Sequence, residues 1–476
     1  MKTKILNNSI TIFFVTILLS GCAPKLLITK TEDKSVPAVY NQKQDGSNSS
    51  SIKWKAYFND QNLADLIDTA LKNNQELNIT MQEIIIRSNE VKLRKGEYLP
   101  FIGLKGGMGL EKAGRYTRNG AVDENIEIKP GTKIPSPLTD NLMGAYASWE
   151  IDVWKKLRNA KKAAINRYLS SIEGKNFMVT NLIAEIAGAY YELMTLDNQL
   201  EIIQRNIEIQ ENALQTIKQE KESAKVTQLA VNRFEAQLLN TQNLQYNVQQ
   251  NIIETENRIN FLTGRYPQPI IRSSSIFNSI VIDSISAGIP SELLEKRTDV
   301  RQAELELKAA KLDVRVAKAN FYPSVKLTAG AGFQSFSLNS IINPKSMMFS
   351  FAGELVAPLL NRNAIKAVYF NANAKQIQAV YNYERTILNA YIEVVNQLSK
   401  IENYSKSYNT KSKEVDILNQ SVTISNNLFK SARADYMEVL LTQREALESK
   451  IDLIEIKMIQ LNAKVNIYRA LGGGWN

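Results

Sequence analysis

Residues 290–333 read PSELLEKRTDVRQAELELKAAKLDVRVAKANFYPSVKLTAGAGF, and this stretch contains the switch that decides the fold. Its first part consists of helix-forming residues whose apolar side chains recur at helical spacing. After Pro323, apolar residues alternate with polar or small ones, which is the period of a strand. Pro323 cannot continue the helix, and Tyr322 before it is biased toward extended geometry. The stretch therefore predicts a helix that passes directly into a strand with one apolar face.

The same device occurs earlier in the chain. Residues 63–97 predict a helix that ends before Pro100, and residues 102–110 then alternate like a strand. When Pro100 is aligned with Pro323, three residues of the first strand match the second. Two further blocks also recur in the same order: Leu104, Gly107 and Gly109 with Leu327, Gly330 and Gly332; Arg158-Asn159-Ala160 with Arg362-Asn363-Ala364; Ser223-Ala224-Lys225 with Ser431-Ala432-Arg433. We therefore interpret the chain as a duplication.

Each predicted repeat contains a helix, a strand, a loop, a return strand, one very long helix, a turn and a return helix. The first repeat places these at 63–97, 102–110, 112–139, 143–153, 160–222, 223–227 and 228–262; the second places them at 290–320, 325–333, 335–346, 347–357, 364–430, 431–436 and 437–471. A helix of about 60 residues is roughly 90 Å long, which exceeds an ordinary globular domain. The two shorter helices of a repeat together equal the long one, so they are expected to stack end to end beside it.

The N-terminal sequence predicts where in the cell the protein is located. A basic start and the apolar run 10–19 precede Leu19-Ser20-Gly21-Cys22, which is typical of a bacterial lipoprotein signal with lipidation at Cys22. An ordinary secretory signal with an incidental cysteine is the alternative. No acidic residue follows Cys22, so the outer membrane is the expected destination. The predicted organisation is a signal peptide at 1–21, a lipidated tether and wrapping segment at 22–62, the first repeat at 63–264, a connector at 265–289, the second repeat at 290–472 and a tail at 473–476.

Composition excludes several classes of function. The chain has no histidine and one cysteine, which removes imidazole catalysis, disulfides and nearly all zinc chemistry. We predict no enzymatic activity, no metal site and no cofactor beyond the covalent lipid on Cys22. The net charge of +10 reads as spread along the helices without an arginine-rich block, so no nucleic-acid partner is expected. No apolar run after residue 22 approaches the roughly 18 residues of a membrane helix, so any bilayer segment must be built from strands.

The four predicted strands have one apolar and one polar face. This alternation fits a membrane barrel with a wet lumen, and it equally fits a soluble sheet that covers a core. Glu150 and Glu354 occupy equivalent points on the two return strands and are candidate lumen-facing residues. Trp149 and Trp154 suit either an aromatic girdle or packing where strand becomes helix. Because four strands cannot close a membrane barrel, such a barrel would be shared, and three copies would give twelve strands.

Residues 289–304, IPSELLEKRTDVRQAE, together with Phe321-Tyr322-Pro323-Ser324, resemble the signature segment of the TolC-like outer membrane efflux family. The lipoprotein signal and the closing residues 471–475, LGGGW, are similar to the lipoprotein branch typified by OprM and NodT. The resemblance covers the mature chain. Thr298 is a departure, because the family usually has proline after the arginine; threonine should be tolerated in the first turns of a helix.

The resemblance implies a homotrimer in which a long α-helical coiled-coil barrel joins a twelve-stranded β-barrel. It implies a lipid-anchored channel in the cell outer membrane that extends into the periplasm. Partners would be outer membrane lipids, a periplasmic adaptor protein and an inner-membrane pump, expected to be proton-driven. The function implied is passive conduction of effluxed substrates, gated at the periplasmic helix tips. The tip residues that it assigns as candidates are Lys225, Thr227, Gln228, Arg433, Asp435 and Tyr436.

Some alternatives stay open. Asp435 is the preferred gate residue, yet it fits equally well as the N-cap of the return helix. The family often has glycine in the tip turns where this chain has Ser-Ala. A type I protein secretion conduit has the same architecture, and a lipid-anchored coiled-coil scaffold without a pore is a different class. Heavy-metal export is a third possibility, although no ligand cluster is visible in the sequence.

Overall fold

The computed structural model describes residues 30–40, 49–280 and 287–475. Its helices have the following bounds: α1 Trp54–Phe58, α2 Gln61–Asn73, α3 Gln75–Tyr98, α4 Arg118–Asn125, α5 Lys156–Glu222, α6 Gln228–Leu262, α7 Leu293–Lys296, α8 Thr298–Ala319, α9 Asn363–Lys430 and α10 Tyr436–Ala470. Short 3-10 turns occur at Ser49–Ser51, Ser274–Ser279, Pro290–Glu292, Leu338–Ser340 and Pro344–Ser346. No helix in the described part of the chain has an apolar stretch long enough to cross a membrane.

Four long strands form one antiparallel sheet in the order β1-β4-β5-β6. Their bounds are β1 Phe101–Glu111, β4 Leu138–Ile151, β5 Ser324–Ser335 and β6 Met347–Val356. A separate hairpin pairs β2 Glu127–Lys129 with β3 Thr132–Lys133. In the large sheet the first hairpin of one repeat adjoins the first strand of the other, because β4 pairs with β5 from Asn141 opposite Ser335 to Ile151 opposite Val325. The predicted strand-forming segments and the duplication are confirmed.

The chain divides into two compact units. Among described residues, the first unit contains 30–31, 85–169 and 305–381, and the second contains 32–40, 49–84, 170–280, 287–304 and 382–475. The first unit holds the sheet and the helix ends beside it, with a small apolar cluster around Phe321 and Tyr369. The second unit is helical. Its largest core surrounds the buried segment 182–196 of α5, where Ile186, Leu193 and Met194 have no exposed surface.

Two predicted helices are wrong in detail. The helix predicted at 63–97 breaks at Asn74, whose backbone leaves the helix and whose Oδ1 accepts from the Leu77 N–H at 2.9 Å. The helix predicted at 290–320 is interrupted at Arg297, which has extended geometry. In both cases a polar side chain binds backbone or charged groups at the break. The break was missed because the apolar residues on both sides of it keep a helical spacing.

The loop predicted at 112–139 also has structure of its own. It contains α4 and the β2-β3 hairpin, and β4 already begins at Leu138. The Thr117 hydroxyl caps α4 by accepting from the Gly120 N–H at 3.2 Å, and Gly131 takes a positive φ of 80° in the hairpin turn. Because of this hairpin, the prediction of only four strands is corrected to six in the described residues.

Candidate functional site: the two-faced sheet and the tip turns

The large sheet presents one apolar face that nothing in the described chain covers. The side chains of Leu104, Met108, Phe349, Phe351 and Leu355 on this face are each more than two-thirds exposed. A soluble sheet would bury such a face against a core. The interpretation as a sheet lying on a core of its own chain is therefore wrong.

The opposite face of the sheet is polar and rich in glycine. Gly144 and Gly332 face each other across β4 and β5. An added Cβ on Gly332 would lie 2.4 Å from the Met143 carbonyl oxygen, so only glycine fits at this crossing. Next to it, the Tyr146 ring lies against Gly103, where a Cβ would be 2.8 Å from the ring. The middle of this face therefore carries few bulky side chains.

Glu150 and Glu354 belong to one row of charges across the polar face. Register pairs place Lys326 of β5 opposite Glu150 of β4 and opposite Glu354 of β6. Glu150 also accepts from the Lys156 ammonium at 2.5 Å. The structure therefore brings the two predicted carboxylates to one level with a lysine between them. The sequence did not single out Lys326 or Lys156, although the register that follows from Pro323 would have found Lys326.

Strand passes into helix at a junction that several polar side chains organise. The Asp152 carboxylate accepts from the backbone N–H groups of Leu157 and Arg158, at 3.1 and 2.9 Å, and it pairs with the Arg158 guanidinium. This cap satisfies the first turn of a 67-residue helix. Trp154 donates to the Pro323 carbonyl at 2.8 Å and stacks on Tyr322. Trp149 donates to the Tyr98 carbonyl at 3.2 Å. Both tryptophans therefore take part in junction packing, one of their two predicted roles.

The two tip turns repeat one another bond for bond. After α5, the Lys225 N–H donates to the Glu220 carbonyl and the Ala224 N–H donates to the Lys221 carbonyl, both at 2.9 Å. After α9, Arg433 and Ala432 make the same bonds to Leu428 and Phe429. This pattern is the Schellman motif. In this motif the first residue after the helix, here Ala224 or Ala432, has a left-handed backbone conformation.

Alanine occupies the left-handed position in both tip turns. Ala224 has φ +55° and Ala432 has φ +54°. The return helices α6 and α10 end with the same bonding pattern, but there the left-handed residues are Gly264 and Gly472. A Cβ in this region costs roughly 1–2 kcal/mol. Among these four helix ends, only the two at the tips therefore place a Cβ in the left-handed region.

Most predicted tip residues are exposed. Lys225, Thr227, Gln228, Arg433 and Asp435 all have exposed side chains. Asp435 occupies the N-cap position of α10 without a side-chain capping bond, and the same holds for Thr227 before α6. Gln228 donates to the Asn232 side chain at 2.7 Å. The position of Asp435 thus matches its alternative as an N-cap, but its carboxylate is not used as one.

Tyr436 is the exception among the tip residues, because it packs against an apolar cluster. This cluster joins the two helical hairpins of the second unit: Phe234 and Val231 of the first hairpin lie with Phe429, Tyr436 and Leu440 of the second. The Arg233 guanidinium also donates to the Met437 sulfur at 2.6 Å. The sequence did not single out Phe429, Arg233 or Met437. Their only signal is apolar spacing beside the turns, which many coiled-coil residues share.

Arg297 is buried and binds several other groups. It lies within the signature segment 289–304, but the sequence analysis assigned it no role. Its guanidinium donates to Asp299 at 2.9 and 2.6 Å, to Glu393 at 2.6 Å and to the Ala470 carbonyl at 3.2 Å. Burial alone would lower the pKa of Arg297, but the hydrogen bonds and charges of the two carboxylates raise it above its ordinary value. The first residue after it, Thr298, begins α8, and proline would also fit at this first helical position.

Cys22 lies outside the described residues. Within the described residues, no group of three or more aspartate, glutamate, histidine or cysteine side chains is arranged to hold a metal ion.

The profile of the family described as "Outer membrane efflux protein" matches residues 66–265 and 289–473. The chain belongs to the outer membrane efflux protein family. The two matched segments coincide with the two repeats, and the unmatched stretch between them lies in the connector. The protein is thus an outer-membrane component of an efflux system.

Individual relatives support the same assignment. The solvent efflux pump outer membrane protein SrpC of Pseudomonas putida is 27% identical over 425 residues, which cover 89% of this chain and 88% of SrpC. The cation efflux system protein CusC of Escherichia coli is 24% identical over 473 residues, covering 97% and 98% of the two chains. The fold is similar to the open state of the MtrE outer membrane channel of Neisseria gonorrhoeae, with a TM-score of 0.80, 20% identity and coverage of 95% and 98%.

Proposed function

We propose that three copies of this chain close their sheets into one twelve-stranded β-barrel through which substrates leave the cell passively. The exposed apolar face of the sheet is the observation that carries this proposal. Acyl chains are a fitting environment for such a face, while the glycine-rich opposite face leaves room for water. Within the described ranges, the edge strands β1 and β6 pair with no further strand on their outer sides, and a neighbouring copy would satisfy the backbone groups there.

In this proposal the efflux protein supplies the conduit and its partners supply energy and selection. A periplasmic adaptor would dock at the tip turns, and an inner-membrane pump, expected to be proton-driven, would deliver the substrate. Opening and closing would occur at the same tips, with Lys225, Thr227, Gln228, Arg433, Asp435 and Tyr436 as the candidate gate residues. The conduit needs no catalytic group. A lipid on Cys22 would anchor the chain, and Cys22→Ala should abolish palmitate labelling.

Planar-bilayer recording of the purified protein tests the conduit. We expect a trimer that survives unheated detergent electrophoresis and discrete conductance steps. Gly332→Val should remove both, since its Cβ collides with the backbone of β4. Gly330→Ala is the matched control, because its nearest neighbour is the Ser350 hydroxyl at 3.0 Å, which can rotate away. A wild-type protein with neither trimer nor conductance would support the scaffold without a pore.

The transported substrate is a separate question. SrpC is named for the efflux of solvents and CusC for the efflux of cations. Type I protein secretion remains the alternative use of the same conduit. A deletion strain separates the two uses. Efflux predicts increased susceptibility to small toxic compounds with an unchanged set of secreted proteins. Secretion predicts the loss of a secreted protein with unchanged susceptibility.

A further inference from the structure

The positive charge of this protein is concentrated beside the sheet, contrary to the expectation that it is spread along the helices. Four helical segments adjoin the strand ends in the first unit, and together we call them the basic junction: 85–98, 152–169, 305–323 and 359–381. They hold 17 Lys and Arg against five Asp and Glu, whereas the remaining 402 residues hold 41 against 43. The whole excess of positive charge thus belongs to 74 residues next to the strands.

The few acidic side chains of the basic junction are already engaged. Arg94 pairs with both Glu90 and Glu97, at 2.9 and 3.0 Å. Asp152 pairs with Arg158, and Asp313 pairs with Arg167. These contacts take up four of the five carboxylates and leave a surplus of ammonium groups.

Lysines make up this surplus, and they are exposed. Lys95, Lys155, Lys162 and Lys366 have exposed side chains and form no ion pair with any residue in the described ranges. Lys155 precedes α5 and has a φ of +61°, and Lys162 lies in the second turn of that helix. A protein that only needed solubility would intersperse charges of both signs here, as the rest of this chain does.

The position of the lysines relative to the strands indicates what they contact. Along the chain, each of the four lies within eleven residues of a strand end. The exposed apolar face of the sheet ends at the same place, and the stacked pair Trp154 and Tyr322 marks the boundary. Aromatic residues followed by long basic side chains are typical of a membrane interface, where the ammonium groups reach toward lipid headgroups.

We propose that the basic junction binds the phosphate groups of anionic phospholipids in the periplasmic leaflet of the outer membrane. This inference rests on the proposed function in one respect, namely that the apolar face of the sheet contacts acyl chains. Carboxylates of cell-wall peptides carry the same sign of charge, but they would not require the lysines to be confined to the strand ends. Continuity with the apolar face therefore favours lipid, whose attraction to basic residues near a membrane surface is strong at low salt.

Native mass spectrometry of the full-length protein, titrated with phosphatidylglycerol or phosphatidylcholine, tests this binding. The junction variant is Lys155→Gln, Lys162→Gln and Lys366→Gln. The control variant is Lys218→Gln, Lys400→Gln and Lys413→Gln, which removes the same charge from exposed positions on the long helices. We expect wild type and control to retain phosphatidylglycerol about tenfold better than the junction variant, with the difference reduced by salt. The triple Lys→Arg variant at the junction should behave as wild type.

Three results would overturn the proposal: equal retention of phosphatidylglycerol by the junction variant and wild type, equal losses in both variants, or equal retention of the two lipids by wild type. Binding of wild type to purified peptidoglycan sacculi, lost in the junction variant while lipid retention is unchanged, would assign the surface to the cell wall instead. Conductance of the same variants in phosphatidylcholine bilayers keeps the two proposals apart. A conducting wild type without lipid preference contradicts only the lipid site, and a wild type without conductance contradicts the conduit.

Discussion

Arg297 connects three stretches of the second unit through one guanidinium group. It binds Asp299 at the start of α8, Glu393 of α9 and the carbonyl of Ala470 at the end of α10. Gly472 packs tightly against the backbone next to Arg297. A Cβ at this position would lie 2.6 Å from the Lys296 carbonyl oxygen, so a larger residue would not fit. A planar donor fork is suited to this arrangement, since one side chain must satisfy acceptors in several directions.

Replacing Arg297 should therefore be costly. Arg297→Met leaves Asp299 and Glu393 without their partner, and we expect the free energy of unfolding to fall by about 3 kcal/mol. Urea denaturation followed by circular dichroism measures this change. Arg205→Met is the control, because Arg205 forms an exposed pair with Glu201 on one helix and should contribute less than about 0.5 kcal/mol. Similar losses in the two variants would contradict the assigned role of Arg297.

Tyr468 gives the protein a predicted sensitivity to alkaline pH. Its hydroxyl donates to the Ile52 carbonyl at 2.6 Å, its ring stacks on Tyr57, and burial raises the pKa of the phenol to about 12. The folded pKa exceeds the unfolded value of about 10, so the stabilisation is complete below pH 10 and is lost as pH rises toward 12.

The comparison of wild type with Tyr468→Phe isolates this effect. At neutral pH the variant should be less stable by about 1 kcal/mol, the usual value of one hydrogen bond. Between pH 10 and 12 the advantage of wild type should disappear, because only wild type has this phenol to ionise on unfolding. Denaturation midpoints recorded across this range measure it. A stability difference between wild type and Tyr468→Phe that stays constant to pH 12 would show that burial does not raise the pKa of Tyr468.

At the scale of elements, the alternation and the proline breaks were sufficient to locate the four long strands. The predicted bounds of α6, 228–262, agree with the structure because a turn precedes it and glycine follows it. The breaks at Asn74 and Arg297 were missed because their cause is tertiary. Asn74 donates to the Leu262 carbonyl and Arg297 binds Glu393, and both of these partners are far away in the sequence.

The tip turns allow a prediction about strain. Ala224→Gly and Ala432→Gly should each stabilise their turn by about 1 kcal/mol, because glycine has no Cβ in the left-handed region. Hydrogen exchange of the Lys225 and Arg433 amides measures this as a decrease of roughly fivefold in rate. Ala236→Gly is the control with the opposite sign, since Ala236 is exposed within α6 and the change should cost about 1 kcal/mol. Faster exchange at both tips in the glycine variants would contradict the strain.

At the scale of the whole molecule, the sequence predicted the architecture more fully than the site. The duplication, the long helices and the shortage of strands follow from periodicity and length alone. The charge row of Glu150, Lys326 and Glu354 required the strand register, and the cluster around Tyr436 required the packing of two hairpins far apart in sequence. The uneven charge distribution was present in the sequence, but it became visible only when the two units divided the chain.

The central claim is that the sheet lies in the outer membrane, with the loop of residues 112–137 outside the cell and the tip turns in the periplasm. Labelling of single cysteines with a membrane-impermeant polymer maleimide tests it most directly, because Cys22 is the only native cysteine and is expected to carry lipid. The account predicts that Ile128→Cys reacts in intact cells, whereas Lys225→Cys reacts only after the outer membrane is opened. Labelling of both positions in intact cells, or of neither until the membrane is opened, would contradict it.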